Sequence, residues 1–526
     1  VTAVAAEPGT GPVTVAHDLL FVGAGASTSY VLLELLAGLG DRPPARPLRI
    51  AVVERAPDAF SGTPYGSRSA RTSLLITPLR DFLPDPERSR FTGWLAANKH
   101  WVFDEHRAAA GPLAARWWDR HRTQVERDEF DPLYLPRYTF GEYLRQRTRA
   151  AIEQAAAAGV ATTDVLQDDV RAVDAVRGGY RVRCRERTLT ARRVVLAAGS
   201  PPVGSRLPAQ DELPGAVLVD DPFDDMTAAV RRIGAALAAR TAHGPAHVVL
   251  IGGNAGTMDM LYQLNDLDLP AARTALFTVL SPGGRLPERI DDGHVPAPFA
   301  ADRLQALTTA AAVDAVTVYE AALADIARGR RAGLTTTDTL RPVSAAVGAL
   351  LPRLAPDQAA EFAARWGTEL GRHQRRAGWE YCEVTEQLAI EGRLRLVPAA
   401  YVGVRADADG TVHVQCEQAG RAEELTPAAD VVVNCGGPAR PVPLAAAPLL
   451  DQLVTDGVCR PTAAGAGVAV DDALAAAPGL HVMGPLLAGN VVKGSPVWHM
   501  EHCGRISTYG TALGADLARS LSTGGR

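Results

Sequence analysis

Apolar positions along this chain come mostly in short unbroken runs that stop at glycine, the pattern of strands buried on both faces of a parallel sheet. The first run, Leu19-Leu20-Phe21-Val22, leads into Gly23-Ala24-Gly25-Ala26-Ser27-Thr28. Tyr30, Val31, Leu32, Leu33, Leu35 and Leu36 then follow at helix-compatible spacing, so strand, tight turn and helix are predicted in that order. Arg49 to Glu54 reads as a second buried strand ending in a carboxylate. A short helix is predicted at Phe91 to Asn98, and a long one from Leu135-Pro136-Arg137 to about Gly159. A meander follows: Val170 to Val176, a turn at Gly178-Gly179, and Tyr180 to Arg187. It delivers a further buried strand, Arg193 to Leu196, which closes on Ala197-Ala198-Gly199. Strand, turn and helix recur at His247 to Ile251, Gly252-Gly253-Asn254-Ala255-Gly256-Thr257 and beyond.

After a strand at Ala275 to Leu280, the pattern turns helical from about Pro298 to Ala377, with Ala, Leu and charges at helix spacing. Strands return at Leu394 to Val397 and Val402 to Cys416. Asp430 to Pro438 is another apolar run ending in glycines; it mirrors Val194 to Pro201 and predicts a return to the first sheet. Gly479 to Pro485 reads as a strand reaching a turn, Asn490 to Pro496 as a loop, and Trp498 to Leu517 as a helix capping the site.

The bulk properties narrow the class. A chain of 526 residues is long enough for two or three domains with their own cores. The net charge of −5, with signs interspersed, gives no basic face for nucleic acid. Six scattered cysteines without a Cys-x-x-Cys pair predict reduced thiols in a cytoplasmic protein and no zinc site. No apolar run of about eighteen residues predicts a membrane span, and no signal peptide is expected. Residues 1–14, rich in Ala, Gly, Pro and Thr, are expected to be disordered.

The glycine turns carry the candidate chemistry. Gly23 permits the tight turn, and Gly25 lets the backbone approach a pyrophosphate held on the N–H groups of Ala26 and Ser27. Glu54 could take a ribose hydroxyl pair. Thr28 stands where the fingerprint has its third glycine. In the second turn Gly252, Asn254, Ala255, Gly256 and Thr257 are the candidates, Asn being the non-glycine residue that best tolerates a left-handed backbone. Ser281 and Arg285, after the next strand, either bind a 2′-phosphate, which favours NADPH, or form a plain surface loop. The cluster Arg372-His373-Gln374-Arg375-Arg376 is either a solvated helix face or an anion contact.

With these residues in hand, the chain resembles the two-Rossmann flavin- and nicotinamide-dependent oxidoreductases, and within them the N-hydroxylating monooxygenases of amino acids and amines. Pro78-Leu79-Arg80-Asp81-Phe82, with Asp85-Pro86 and Phe91-Thr92-Gly93-Trp94-Leu95 after it, is similar to a segment of the ornithine and lysine hydroxylases. Arg80 takes the place of the lysine that contacts the substrate carboxylate there, a role an arginine fork can fill. The Tyr65-Gly66 loop, Leu74-Leu75, the Leu135 to Leu144 stretch, Gly-Gly-Asn-Ala and Trp498-His499-Met500-Glu501-His502 resemble a group that includes the nitrosuccinate-forming aspartate N-monooxygenases. Leu75 and Pro485 depart from the family's flavin-contacting Gln and Asp. Tyr65, Val170, Gly199, Gly484, Pro485, Trp498 and His499 complete the candidate cofactor contacts; His499 and His502 either handle protons or cap the flavin pocket.

The expectation is an α/β protein with two Rossmann-like dinucleotide-binding domains, glutathione-reductase-like, for FAD and NADPH. Its parts are an FAD domain at 15–210, an NADPH domain at 211–425 with a helical insertion at 298–377, and a return to the FAD domain at 426–526. The resemblance implies N-oxygenation of an amino-acid amine by O₂ through a flavin C4a-hydroperoxide, aspartate to nitrosuccinate being favoured, in an antibiotic-type secondary pathway. No side chain is obligatory for that transfer, and no metal or catalytic triad is expected. The alternatives are an FAD/NAD(P)H oxidoreductase or dehydrogenase without N-oxygenation, and a non-catalytic nucleotide-sensing protein. The Baeyer–Villiger hallmark is missing between the two glycine turns. A small-molecule partner is expected, with no nucleic acid and no membrane, and homo-oligomer formation is left open.

Overall fold

The computed structural model describes residues 15–240, 244–291, 293, 295–437, 442, 447–500 and 502–522. The expectations for residues 1–14, Pro438 and Glu501 lie outside the described residues. The apolar runs form two sheets. In the first, of eight strands, His17–Val22 lies at the centre and pairs in parallel with Leu48–Glu54 and Thr188–Leu196. Ala161–Gln167 extends it on one side and Leu480–Val482 on the other, both in parallel. The meander Val170–Val176 and Gly179–Cys184 runs antiparallel into Thr188–Leu196, as its turn signal predicts.

The second sheet is wholly parallel, in the order Leu394–Pro398, Leu276–Ser281, His247–Ile251, Val431–Asn434, Val217–Val219. A small antiparallel sheet, Ala400–Ala406, Val412–Gln418 and Arg421–Glu424, follows its edge strand. This α/β architecture of two parallel Rossmann-like sheets is the expected fold class. One strand is corrected. Val431–Asn434 pairs with His247–Ile251 and Val217–Val219 in the second sheet and does not return to the first. An apolar run ending in glycines fits either sheet, and only the long-range partner decides.

Helix Ala26–Asp41 packs between the first sheet and helix Cys503–Ser522. The two helix backbones approach closely through Gly514, where a Cβ would fall 2.5 Å from the Val31 carbonyl oxygen. Between 302 and 372 the chain is mostly helical, with a separate apolar core of Val318, Val343, Val347, Leu350 and Phe362. Helix Thr336–Leu350 opens with a capping box of Thr335 and Asp338. The predicted Phe91 helix is one part of a longer helix, Glu87–Ala109. The predicted loop Asn490 to Pro496 is a hairpin of Asn490–Val492 and Ser495–Val497, turned at Lys493-Gly494 with both φ positive. Helix Cys503–Ser522 starts after Trp498 and His499, which lie ahead of it.

Candidate functional site

The first glycine turn is built by the strand end and two side chains. Gly23 adopts φ +92°, and a Cβ there would stand 2.4 Å from the Ala197 carbonyl oxygen, so only glycine fits between the two strand ends. Thr28, in the third glycine's place, is fully buried and donates its hydroxyl to the Gly23 carbonyl at 2.6 Å, closing the turn from behind. Glu54 accepts the Ala24 N–H at 2.7 Å and the Ala56 N–H at 2.9 Å. Gly25 is the N-cap of helix Ala26–Asp41 without any side-chain cap, which leaves the first N–H groups for an anion.

A cavity of about 830 Å³ opens onto this turn. Gly23, Gly25, Ala26, Ser27, Glu54, Tyr65, Val170, Gly199 and Pro485 all line it. Gly484 adjoins Ser27 of this lining, where a Cβ would come within 2.6 Å of the Ser27 hydroxyl. The volume, the open helix N-terminus and the glycine cradle fit the pyrophosphate and ribose of a dinucleotide. Tyr65 joins an edge-to-face cluster with Phe82 and Phe140 and lies 3.0 Å from the Cys503 thiol. Burial pushes the Tyr65 hydroxyl well above its ordinary range and the Cys503 thiol up to about 12, so both stay neutral.

The second turn repeats the device. Thr257 donates to the Gly252 carbonyl at 2.6 Å, as Thr28 does to Gly23. Asn254 departs from its expected reason. Its backbone is extended, at φ −139°, and not left-handed. Its side chain caps helix Ala255–Asp266 by accepting the Thr257 N–H at 3.1 Å and ties the turn to the neighbouring strand by donating to the Cys435 carbonyl at 2.6 Å. Ser281 is buried beside Gly253, and Arg285 is exposed, its carbonyl 2.4 Å from where a Gly253 Cβ would be.

Other expected site residues stand apart from the cavity. Arg80 is half-buried on the short helix Leu79–Phe82, its N–H bonded to the Asp131 carbonyl. Trp498 docks into the helical segment against Phe362 and Gly367, with the Arg505 guanidinium 5.2 Å from its ring centroid. Arg505 also reaches His499 Nε2 and its carbonyl at 3.3 Å. Burial, with Arg505 beside it, lowers the His502 pKa. Arg372 of the cationic cluster pairs with Glu369 of its own helix turn. Among the described residues no His/Cys/Asp/Glu group could hold a metal ion, and no helix is long and apolar enough to cross a membrane.

Sequence reasoning missed the far wall of the cavity. Arg55, Arg68, Asp221, Phe223 and Asp224 line it as well. Asp224 bridges Arg55 at 2.5 Å and Arg68 at 3.1 Å. Arg55 follows Glu54 directly and could have been noticed; the 221–224 segment carries no local signal, because it reaches the cavity only through the chain's crossing to the second sheet.

A family model described as FAD-NAD(P)-binding matches residues 20–201. Uncharacterised proteins of Mycobacterium tuberculosis (strain ATCC 25618 / H37Rv) and Mycobacterium bovis (strain ATCC BAA-935 / AF2122/97) are each 32% identical over 513 residues, 96% of either chain. Three solved structures share the fold at low identity. They are L-lysine 6-monooxygenase from Pseudomonas syringae (17% identity, TM-score 0.54, 96% of this chain and 99% of that one), an FAD-bound cadaverine monooxygenase of desferrioxamine biosynthesis from Erwinia amylovora (12%, 0.55, 97% and 95%), and ornithine hydroxylase from Pseudomonas aeruginosa in its reduced form (13%, 0.53, 97% and 100%). The glycine-turn geometry and the matched model agree, and the chain belongs to one family with the mycobacterial proteins, as an FAD- and NAD(P)-binding protein of the two-Rossmann fold.

Proposed function

We propose that this protein is an FAD-dependent, NADPH-consuming monooxygenase that N-oxygenates the amine of a small amino acid, with aspartate the favoured substrate. The observation that carries the reading is a dinucleotide cavity and a second nucleotide turn in a chain whose six cysteines include no Cys-x-x-Cys pair. Cys503, which touches cavity-lining Tyr65, is held neutral by burial. This favours a small molecule over a protein disulfide as the acceptor of the flavin's electrons. Bound FAD, once reduced, supplies the activation of oxygen, and the chain's task is to hold it dry and orient the amine. The fold likeness to three enzymes named for lysine, cadaverine and ornithine supports nitrogen as the oxygenated atom.

The first unit binds FAD through the Gly23–Thr28 turn and Glu54, and the second binds NADPH through Gly252–Thr257, with Ser281 and Arg285 at the 2′-phosphate. Arg80 takes the substrate carboxylate. Its short helix also carries Phe82, whose ring packs against Tyr65 on the cavity wall at 6.2 Å between centroids.

The test is NADPH oxidation by FAD-loaded protein with a panel of amino acids, read together with product mass. Aspartate is expected to stimulate oxidation and give a nitrogen-oxygenated product. Arg80→Ala should raise its KM by roughly tenfold to hundredfold, the worth of a charge-assisted bond. NADPH reduction of FAD with no oxygenated amine from any substrate would replace this reading by a dehydrogenase.

A further inference from the structure

Helix Ala255–Asp266, which begins at the second glycine turn, turns a polar face toward the first unit. Asp259, Gln263 and Asp266 stand at i, i+4 and i+7, the spacing of one helix face, and are 3%, 4% and 7% exposed. Burying such a face is costly unless every group is matched, and a matched face fixes one orientation far more sharply than apolar packing does.

Here it is matched. The Asp259 carboxylate accepts from Ser73 Oγ at 3.0 Å, from the Tyr381 hydroxyl at 3.0 Å, and from the Arg137 guanidinium. Tyr381, on helix Trp379–Ile390, in turn accepts the Leu74 N–H at 2.8 Å. Gln263 accepts from Thr72 Oγ1 at 2.9 Å and donates to Ser73 Oγ at 3.2 Å. Asp266 accepts the Leu113 and Ala114 N–H groups at 2.8 and 2.9 Å, holding the start of helix Pro112–Glu126. The opposite side of the helix start is covered too, since Phe223 of the cavity wall lies over Gly256, 2.5 Å from where a Cβ would be.

We propose that this polar face is a positioning device for hydride transfer. Asp259, with Arg137, Tyr381 and Ser73, sets the angle of the helix whose first turn binds NAD(P)H, and so sets where the nicotinamide meets the flavin. In the step served, a C–H bond of the nicotinamide breaks and its hydrogen moves with two electrons to a flavin nitrogen, leaving NAD(P)⁺ and anionic reduced flavin. None of these side chains touches the reacting atoms; they act through the helix. The inference rests on the two cofactors and is independent of which substrate the flavin later serves.

The experiment compares Asp259→Asn and Tyr381→Phe with the parent as FAD-loaded full-length proteins, under anaerobic conditions with no amine. Tyr381→Phe removes one hydroxyl from an unchanged ring and carries the test should Asp259→Asn fail to fold. Expected are full FAD content, normal reduction by dithionite, an NADPH dissociation constant within about threefold of the parent, and flavin reduction at saturating NADPH slowed roughly tenfold or more. Amide exchange in the peptides covering 72–74 and 259–263 should quicken in step. Reduction within about twofold of the parent despite faster exchange would overturn the proposal. So would loss of FAD or of NADPH affinity that accounts for the whole slowing, because that is the signature of a merely structural role.

Discussion

Glu54→Gln probes the first turn most directly. The carboxylate spends one oxygen on the Ala24 N–H at 2.7 Å and the other on the Ala56 N–H at 2.9 Å. Each is a charge-assisted bond worth about 1.5–3 kcal/mol net. Glutamine keeps the shape, but one of its two polar ends is an NH₂ group that cannot accept. One bond is then lost, and the other falls to the strength of a neutral pair, about 1 kcal/mol. Some of this returns through water and relaxation, leaving a deficit of about 2–3 kcal/mol. Ala24 stands between Gly23 and Gly25, so the deficit falls on the loop that must be in place before a pyrophosphate binds.

The FAD dissociation constant should therefore rise roughly 30- to 150-fold. The assay is titration of the apoprotein by flavin fluorescence, with circular dichroism to show that the fold persists. A second ligand separates scaffolding from recognition. The parent should prefer FAD to its 2′-deoxyadenosine analogue, because the carboxylate has lone pairs left for a ribose hydroxyl. The variant should lose that preference. A dissociation constant within about threefold of the parent, with the preference intact, would refute both roles.

The two threonines predict a crossed pattern: Thr257→Val should weaken NADPH by roughly 5- to 30-fold and spare FAD, and Thr28→Val should do the reverse, as measured by separate titrations. Gly256→Ala drives a methyl into the Phe223 ring and should weaken NADPH roughly tenfold or more, with Gly256→Ala/Phe223→Ala recovering most of it; no recovery would show that the ring is not the obstacle. His106 is fully buried, and desolvation lowers its pKa to about 4 from 6.5. The unfolded chain takes up that proton first, so this contribution to stability is whole above pH 6.5, is lost as pH falls toward 4, and amounts to about 3 kcal/mol. His106→Leu should flatten the acid limb of apparent Tm against pH, and an unchanged slope would refute the assignment.

Much of the fold was legible because its strands are buried on both faces. Runs such as Leu19–Val22 and Val248–Ile251 have one reading, and the glycines after them mark the turns. What the runs do not carry is their neighbour. Val431–Asn434 and Val194–Leu196 look alike locally, yet one lies beside His247–Ile251 and the other beside His17–Val22, a choice made by the rest of the chain. At Asn254 capping and left-handed tolerance both favour asparagine, and a sequence does not say which is in use; the fold uses the cap. Trp498 is a candidate cofactor contact through the resemblance of the Trp498–His502 stretch, and in the fold its ring anchors the core of the helical segment.

The deepest gap concerns polar residues at helical spacing. Asp259, Gln263 and Asp266 read by any periodicity argument as the wet face of an amphipathic helix. Their burial follows only from groups far along the chain: Thr72 and Ser73 in a loop, Arg137 at a helix start, Tyr381 beyond the helical segment, and two N–H groups of a helix end. Such an interface carries no local signature, because its members are ordinary surface residues until the two sheets meet. Apolar runs decide that two nucleotide-binding units form; a buried, hydrogen-bonded polar face decides how one is set against the other. A residue of the second kind is found by asking what each buried charge is bonded to, and in this protein that question leads from Asp259 to the helix that begins at the second glycine turn.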